Sequence, residues 1–177
     1  MSTGYKIEKQ DALHFLTFQI VGWLDLFTRK VYRDIVIDCF RHCQQQKGLE
    51  LYGYVIMSNH IHLLARSSRG DLSGLIRDFK SFTSKQFEAA MMDSGESRRE
   101  WMTMVFEYHA RFKPKQDRQF WTHENHAEEL FSQSFIEQKL QYIHQNPVRA
   151  AWVINPEDYL YSSARNYAGM EALLDIV

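Results

Sequence analysis

The chain has 177 residues, 45% of them hydrophobic and 14% aromatic, with three prolines and two cysteines; that length suits one domain with a real core and is short for two. A formal net charge of −1 means that no global excess of lysine and arginine advertises a polyanionic partner. The N-terminus is polar, and the apolar run from Leu13 to Leu26 is broken by His14, Thr17, Gln19 and Asp25, which excludes a membrane span and reads as a cytoplasmic protein.

Residues 1–12 are polar and peripheral. Leu13 to Val21 alternates and is rich in Phe, Thr, Ile and Val, the pattern of a first strand. From Lys30 to Gln46 the residues Val31, Ile35, Cys39, Phe40 and Cys43 recur at helical spacing, and Gly48 ends that helix. Cys39 and Cys43 have no second ligand pair at matching spacing, so they read as free thiols on a helix face. Leu49 to Met57 and His60 to Arg66 form a hairpin across Ser58-Asn59. A long helix, capped at Asp71 or Ser73, runs to about Met92 with Leu72, Leu75, Ile76, Phe79, Phe82 and Phe87 on one side.

Trp101 to Tyr108 fits strand or helix. Residues 98–118 carry six basic residues (Arg98, Arg99, Arg111, Lys113, Lys115, Arg118) against three acidic ones (Glu100, Glu107, Asp117), a local net of +3. Phe120-Trp121 suggests a fourth strand, and Thr122 to His126 caps a short helix through Phe131; that capping accounts for His123, Glu124 and His126. Ser134 to Asn146 makes the final main helix, with Phe135, Ile136, Leu140 and Ile143 toward the core and Pro147 marking its end. This order of elements describes an α+β chain with an antiparallel sheet.

The stretch Tyr54-Val55-Ile56-Met57-Ser58-Asn59-His60-Ile61-His62-Leu63-Leu64 organises the rest. Alternation along a strand points His60 and His62 the same way, about 7 Å apart, which suits two imidazoles sharing one metal ion. Taken alone, a His-x-His pair is more often a core histidine beside a chance one. Far downstream, Tyr142 and Asn146 lie four residues apart in Tyr142-Ile143-His144-Gln145-Asn146-Pro147-Val148-Arg149-Ala150 and so share a helix face. His144 points about 160° away from Tyr142. An amide oxygen at Asn146 would complete a ligand set with His60 and His62; its other reading is a helix cap before Pro147. Such a set is weak and exchangeable, and takes Mg²⁺ or, with imidazole nitrogens, Mn²⁺ more readily.

Met57-Ser58-Asn59-His60-Ile61-His62-Leu63-Leu64 resembles the histidine-hydrophobe-histidine signature of the HUH single-strand nucleases. The Tyr142 motif resembles that of the REP-associated tyrosine transposases, relatives of the small insertion-sequence transposases. The two motifs stand in the expected order, with Tyr142 80 residues after His62, and the resemblance covers about Phe15 to Tyr167.

The resemblance implies a ferredoxin-like or palm-like antiparallel sheet with helices packed mainly on one face, filling a single domain over 1–177 with 1–12 and 168–177 peripheral. It implies a metal-dependent single-stranded DNA endonuclease and strand transferase acting at DNA hairpins. On that resemblance Tyr142 would be the nucleophile of a 5′-phosphotyrosine intermediate and His60 and His62 metal ligands, with Asn146 as the third ligand where it is not a helix cap. Arg77, Lys80, Arg149 and the basic stretch are candidate DNA contacts, and monomer and homodimer both stay open. The alternative is a domesticated hairpin-DNA-binding protein without strand transfer. A histidine-triad nucleotide hydrolase would need a further histidine where the chain has Leu64, and a structural zinc site would need His60, His62, His123 and His126 to converge.

Overall fold

In this computed structural model, residues 6–93, 95–113 and 116–177 are described. Strand β1 (His14–Gln19) leads through two 3₁₀ turns to helix α1 (Lys30–Lys47), then to β2 (Leu49–Ile56), β3 (His60–Ser67) and helix α2 (Leu72–Asp93). Helix α3 (Arg99–Ala110), the two-residue strand β4 (Glu128–Glu129), helix α4 (Gln133–Arg149) and a single turn, α5 (Ala164–Tyr167), complete the chain. The strands form one antiparallel sheet in the order β2-β3-β1-β4. This is the ferredoxin-like α+β arrangement.

Alternation along the strands gives each face its own core. Leu16, Phe18, Ile61, Leu63 and Ala65 face the larger core, which α1, α2 and α3 cover with Tyr32, Phe40, Phe79, Phe87 and Phe106. Phe15, Val55 and Leu64 face the other side, where α4 is the one long helix and contributes Ile143, with Tyr159 packed beside it. Three of the four long helices thus share one face. Gly53 on β2 leaves room for α4: a Cβ there would stand 2.7 Å from Leu140 Cδ1.

Several local expectations shift. The buried side of α1 is Tyr32, Val36, Ile37, Cys39, Phe40 and Cys43, whereas Val31 and Ile35 are only half-buried. Phe82 on α2 is 50% exposed and stands outside its apolar stripe. Trp101 to Tyr108 is helical, within α3.

The fourth strand lies at Glu128–Glu129, not at Phe120-Trp121, and the short helix expected up to Phe131 is absent. Backbone bonding explains both. Trp121 makes one isolated bridge to Ile20, Thr17 N–H donates to the Asn125 carbonyl at 2.8 Å, and Leu130 N–H donates to the Leu13 carbonyl at 2.9 Å. Residues 121–130 are therefore pinned along the edge of β1, and a helix would forfeit those bonds.

Helix α4 continues through Pro147 to Arg149. Pro147 sits in the last turn, where its missing N–H costs one bond, and the helix closes beyond it. Trp152 N–H donates to the Pro147 carbonyl and Ala151 N–H to that of Val148, with Ala151 at φ 57°. That is a Schellman ending. The outer edge of β2 is covered in turn by the C-terminal segment: Ser162 bridges Val55, and Val177 N–H donates to the Leu51 carbonyl at 2.9 Å. Among the described residues no helix is long and apolar enough to cross a membrane.

Candidate functional site

The α4 face of the sheet carries the histidine pair. Their ring centroids lie 4.7 Å apart, closer than the strand repeat because the rings lean together. The β1–β3 ladder puts Thr17 directly opposite His62, and Thr17 Oγ1 lies 2.9 Å from His62 Nδ1. Phe15 stacks on the same ring at 5.3 Å. His60 Nδ1 is 2.8 Å from Asn59 Oδ1; an amide oxygen only accepts, so Nδ1 carries the proton and Nε2 the lone pair. The Thr17 hydroxyl can accept from Nδ1–H of His62 in the same way, and in that tautomer both rings offer Nε2, which is how oriented metal-binding histidines are held.

Burial keeps both rings neutral. It lowers the pKa of His60, and it holds His62 down at about 3, with repulsion from His60, Lys139 and Arg149 adding to the effect. Neutral imidazoles are the metal-binding form.

Tyr142 stands over this pair from α4, within the same chain. Its ring centroid is 5.3 Å from that of His62 and 6.0 Å from that of Phe15, and it is 43% exposed. Lys139, one turn earlier, lies over the Phe15 ring at 4.4 Å and pairs with Glu128 at 2.8 Å. Arg149 closes the other side: its guanidinium lies 4.5 Å over the Tyr142 ring and donates to the Tyr142 carbonyl at 2.8 Å. Asn146, one turn beyond Tyr142, directs Nδ2 at the same carbonyl at 3.4 Å, leaving Oδ1 as its free end.

Among the described residues no three His, Cys, Asp or Glu side chains converge to hold a metal ion. A cation at the histidine pair therefore needs oxygen from another source, and the Asn146 amide and a substrate phosphate both qualify. The four-histidine zinc arrangement is absent, since His123 contacts Lys113 and His126 lies 3.8 Å from Glu124. His144 points away, with Nε2 2.9 Å from Ser163 Oγ and its ring against Tyr167.

Arg77 and Lys80 lie on α2, across the sheet from the histidines. Arg77 is exposed and pairs with Asp78, whereas Lys80 is largely enclosed and donates to the Thr122 carbonyl at 2.8 Å. In the basic stretch, Arg98 is committed to the buried Glu96, and Lys115 is outside the described residues. Sequence reasoning missed Thr17, Asn59, Phe15 and Lys139 as parts of the site; Asn59 and Lys139 were findable as the neighbour of His60 and the residue one turn before Tyr142.

Fold and site together define an α+β domain whose sheet displays two neutral histidines beneath an exposed helix tyrosine. Residues 24–107 match the family model of the IS200-like transposases, a stretch that contains both histidines and ends before Tyr142. The described fold also resembles that in "Structure of the REP associates tyrosine transposase bound to a REP hairpin", with a TM-score of 0.60 and 18% identity over 100% of this chain and 94% of that one. No curated protein matches the chain. Over residues 24–107 the chain is thus similar in sequence to the IS200-like transposases, and across its whole length it shares the fold of the REP-associated structure; the Tyr142 motif lies outside the matched stretch.

Proposed function

We propose that the chain is a metal-dependent single-stranded DNA endonuclease and strand transferase that works at DNA hairpins through a 5′-phosphotyrosine. The observation that carries this reading is the approach of Tyr142 to His62 within one chain, 5.3 Å between ring centroids. That approach lets a monomer suffice, with the tyrosine acting in cis.

His60, His62 and Asn146 would hold the cation. When bound, a divalent ion withdraws charge from the non-bridging oxygens of a phosphodiester. The chain's own groups do the rest. Tyr142 Oη attacks phosphorus in line; the P–O3′ bond breaks, the phenol gives up its proton, and the departing O3′ gains one to become a free hydroxyl. Arg149 fixes the Tyr142 backbone and ring and supplies positive charge that favours a phosphate, while Lys139 is held by Glu128. One phosphodiester replaces another, so rejoining needs no nucleotide cofactor.

The test is incubation with labelled hairpin DNA from the flanks of the protein's own gene, with Mg²⁺ or Mn²⁺, on a denaturing gel. A metal-dependent covalent band is expected, lost in Tyr142→Phe and reduced by at least about a hundredfold in His60→Ala/His62→Ala. Hairpin binding with no adduct under either metal would favour the domesticated binder. An adduct that survives Tyr142→Phe would mean another nucleophile.

A further inference from the structure

A second basic feature lies across the sheet edge from the histidines. Between α2 and residues 116–125 runs an open groove of about 900 Å³, with Lys80, Lys113, Arg118, His123 and Asn125 on its walls. That volume exceeds a lone phosphate and is on the scale of a ligand cleft. Some of its cations are neutralised: Arg118 pairs with Glu88 and Glu107, and Arg77 at the rim with Asp78.

Lys80, Lys113 and His123 are different. Lys80 Nζ donates to the Thr122 carbonyl at 2.8 Å and sits 5.2 Å from the Phe18 ring, and the Lys113 ammonium donates to the His123 ring. Among the described residues no carboxylate forms an ion pair with any of the three. Burial depresses the pKa of Lys80, with repulsion from Lys113 adding to it, and burial depresses that of His123, with the two lysines adding to it. Two lysine ammonium groups held beside a neutral imidazole without a counter-charge are unfavourable unless an anion joins them.

The groove is also connected to the catalytic face. Asn125 on its wall accepts the Thr17 backbone N–H, and the Thr17 side chain holds His62. The wall of the groove at Asn125 is thus fixed to the strand that carries the histidine's partner, Thr17.

We propose that Lys80, Lys113 and His123 form a phosphate subsite that seats a backbone phosphodiester of the DNA strand away from the scissile bond. The assignment rests on the DNA reading above but not on its chemistry. Lysine supplies compact positive charge to a phosphate without reading the base, so the subsite positions the strand and is indifferent to sequence.

The experiment uses Tyr142→Phe protein in EDTA, so that neither nucleophile nor metal acts, with fluorescence anisotropy of a labelled single-stranded oligonucleotide over a salt series. Lys113→Gln should lower the slope of log affinity against log salt by about 0.7. Lys113→Gln/His123→Gln should weaken binding at low salt by roughly tenfold, while Lys30→Gln, whose partner is Asp34 on α1, should change neither. Because Lys80 is largely enclosed, the readout rests on Lys113 and His123.

Slopes and affinities unchanged in both groove variants would overturn the proposal, as would an absence of oligonucleotide binding. A parallel titration with inorganic phosphate, read by the His123 NMR signals, separates the sources. A phosphate response with oligonucleotide binding insensitive to the variants would assign the cluster to a free anion and remove the DNA strand. Loss of the tyrosine adduct alone leaves this outcome standing, and loss of the subsite leaves the adduct chemistry standing.

Discussion

Thr17 has a small side chain with a large positional effect. Its hydroxyl is the group that holds Nδ1 of His62, a ring 6% exposed and stacked on Phe15. Thr17→Val keeps the shape and removes that contact, leaving Nδ1–H unsatisfied or letting the ring change tautomer. The expected result is a Mn²⁺ affinity about 10–100-fold weaker by calorimetry, with adduct formation recovering at saturating metal. An unchanged affinity would show that Phe15 stacking alone orients the ring. The His60–His62 pair and the Tyr142–Asn146 face were legible in the sequence because each relation is local, a two-residue period in a strand and a four-residue spacing in a helix, whereas only the resemblance joined the two across 80 residues. Thr17 was not, since it meets His62 only through the β1–β3 register, which joins residues 45 apart and leaves no periodic trace. Lys80 looked like a surface cation for the same reason: only the fold brings residue 122 over it.

At the scale of elements, the long helices and the hairpin could be read closely, and what failed were the short segments governed by distant partners. Glu128 and Glu129 have poor strand propensity, yet they form β4 because β1 offers an open edge that residues 121–130 follow; cross-strand context overrides intrinsic preference. Pro147 was read as the end of α4, but two further residues follow, and the turn then closes on Ala151 in the left-handed region. That conformation costs an L-residue roughly 1–2 kcal/mol. Ala151→Gly removes the strain and adds some unfolded-state entropy, so a net gain of about 0.5–1 kcal/mol is expected, seen as a rise in Tm of about 1–4 °C. The substitution lies beyond the Tyr142 turn and should leave adduct yield unchanged. A lower Tm would mean that the Schellman bonds do not govern how this helix ends.

The whole molecule is a sheet with a thick hydrophobic layer on one side and a thin one, under the one long helix α4, on the other. The thin side is where function can be displayed, because one helix leaves the histidines enclosed but reachable beside an exposed tyrosine. The same enclosure makes the molecule sensitive to acid. His144, under α4 and hydrogen-bonded to Ser163, is held at about 4 by burial, below its ordinary 6.5. Between those values the unfolded chain binds a proton that the folded chain refuses, so this histidine's contribution to stability is complete above pH 6.5 and is lost as the pH falls toward 4. The loss is on the order of 2–3 kcal/mol. His144→Gln, which retains a polar contact with Ser163 but cannot titrate, should flatten the acid limb by that amount in urea unfolding across this range, while near neutral pH its difference from the parent stays constant. His60 and His62 act in the same direction and remain in both proteins, so the difference between the two curves isolates residue 144. Parallel curves would place the protonation of His144 outside this window and assign the acid limb to the histidine pair.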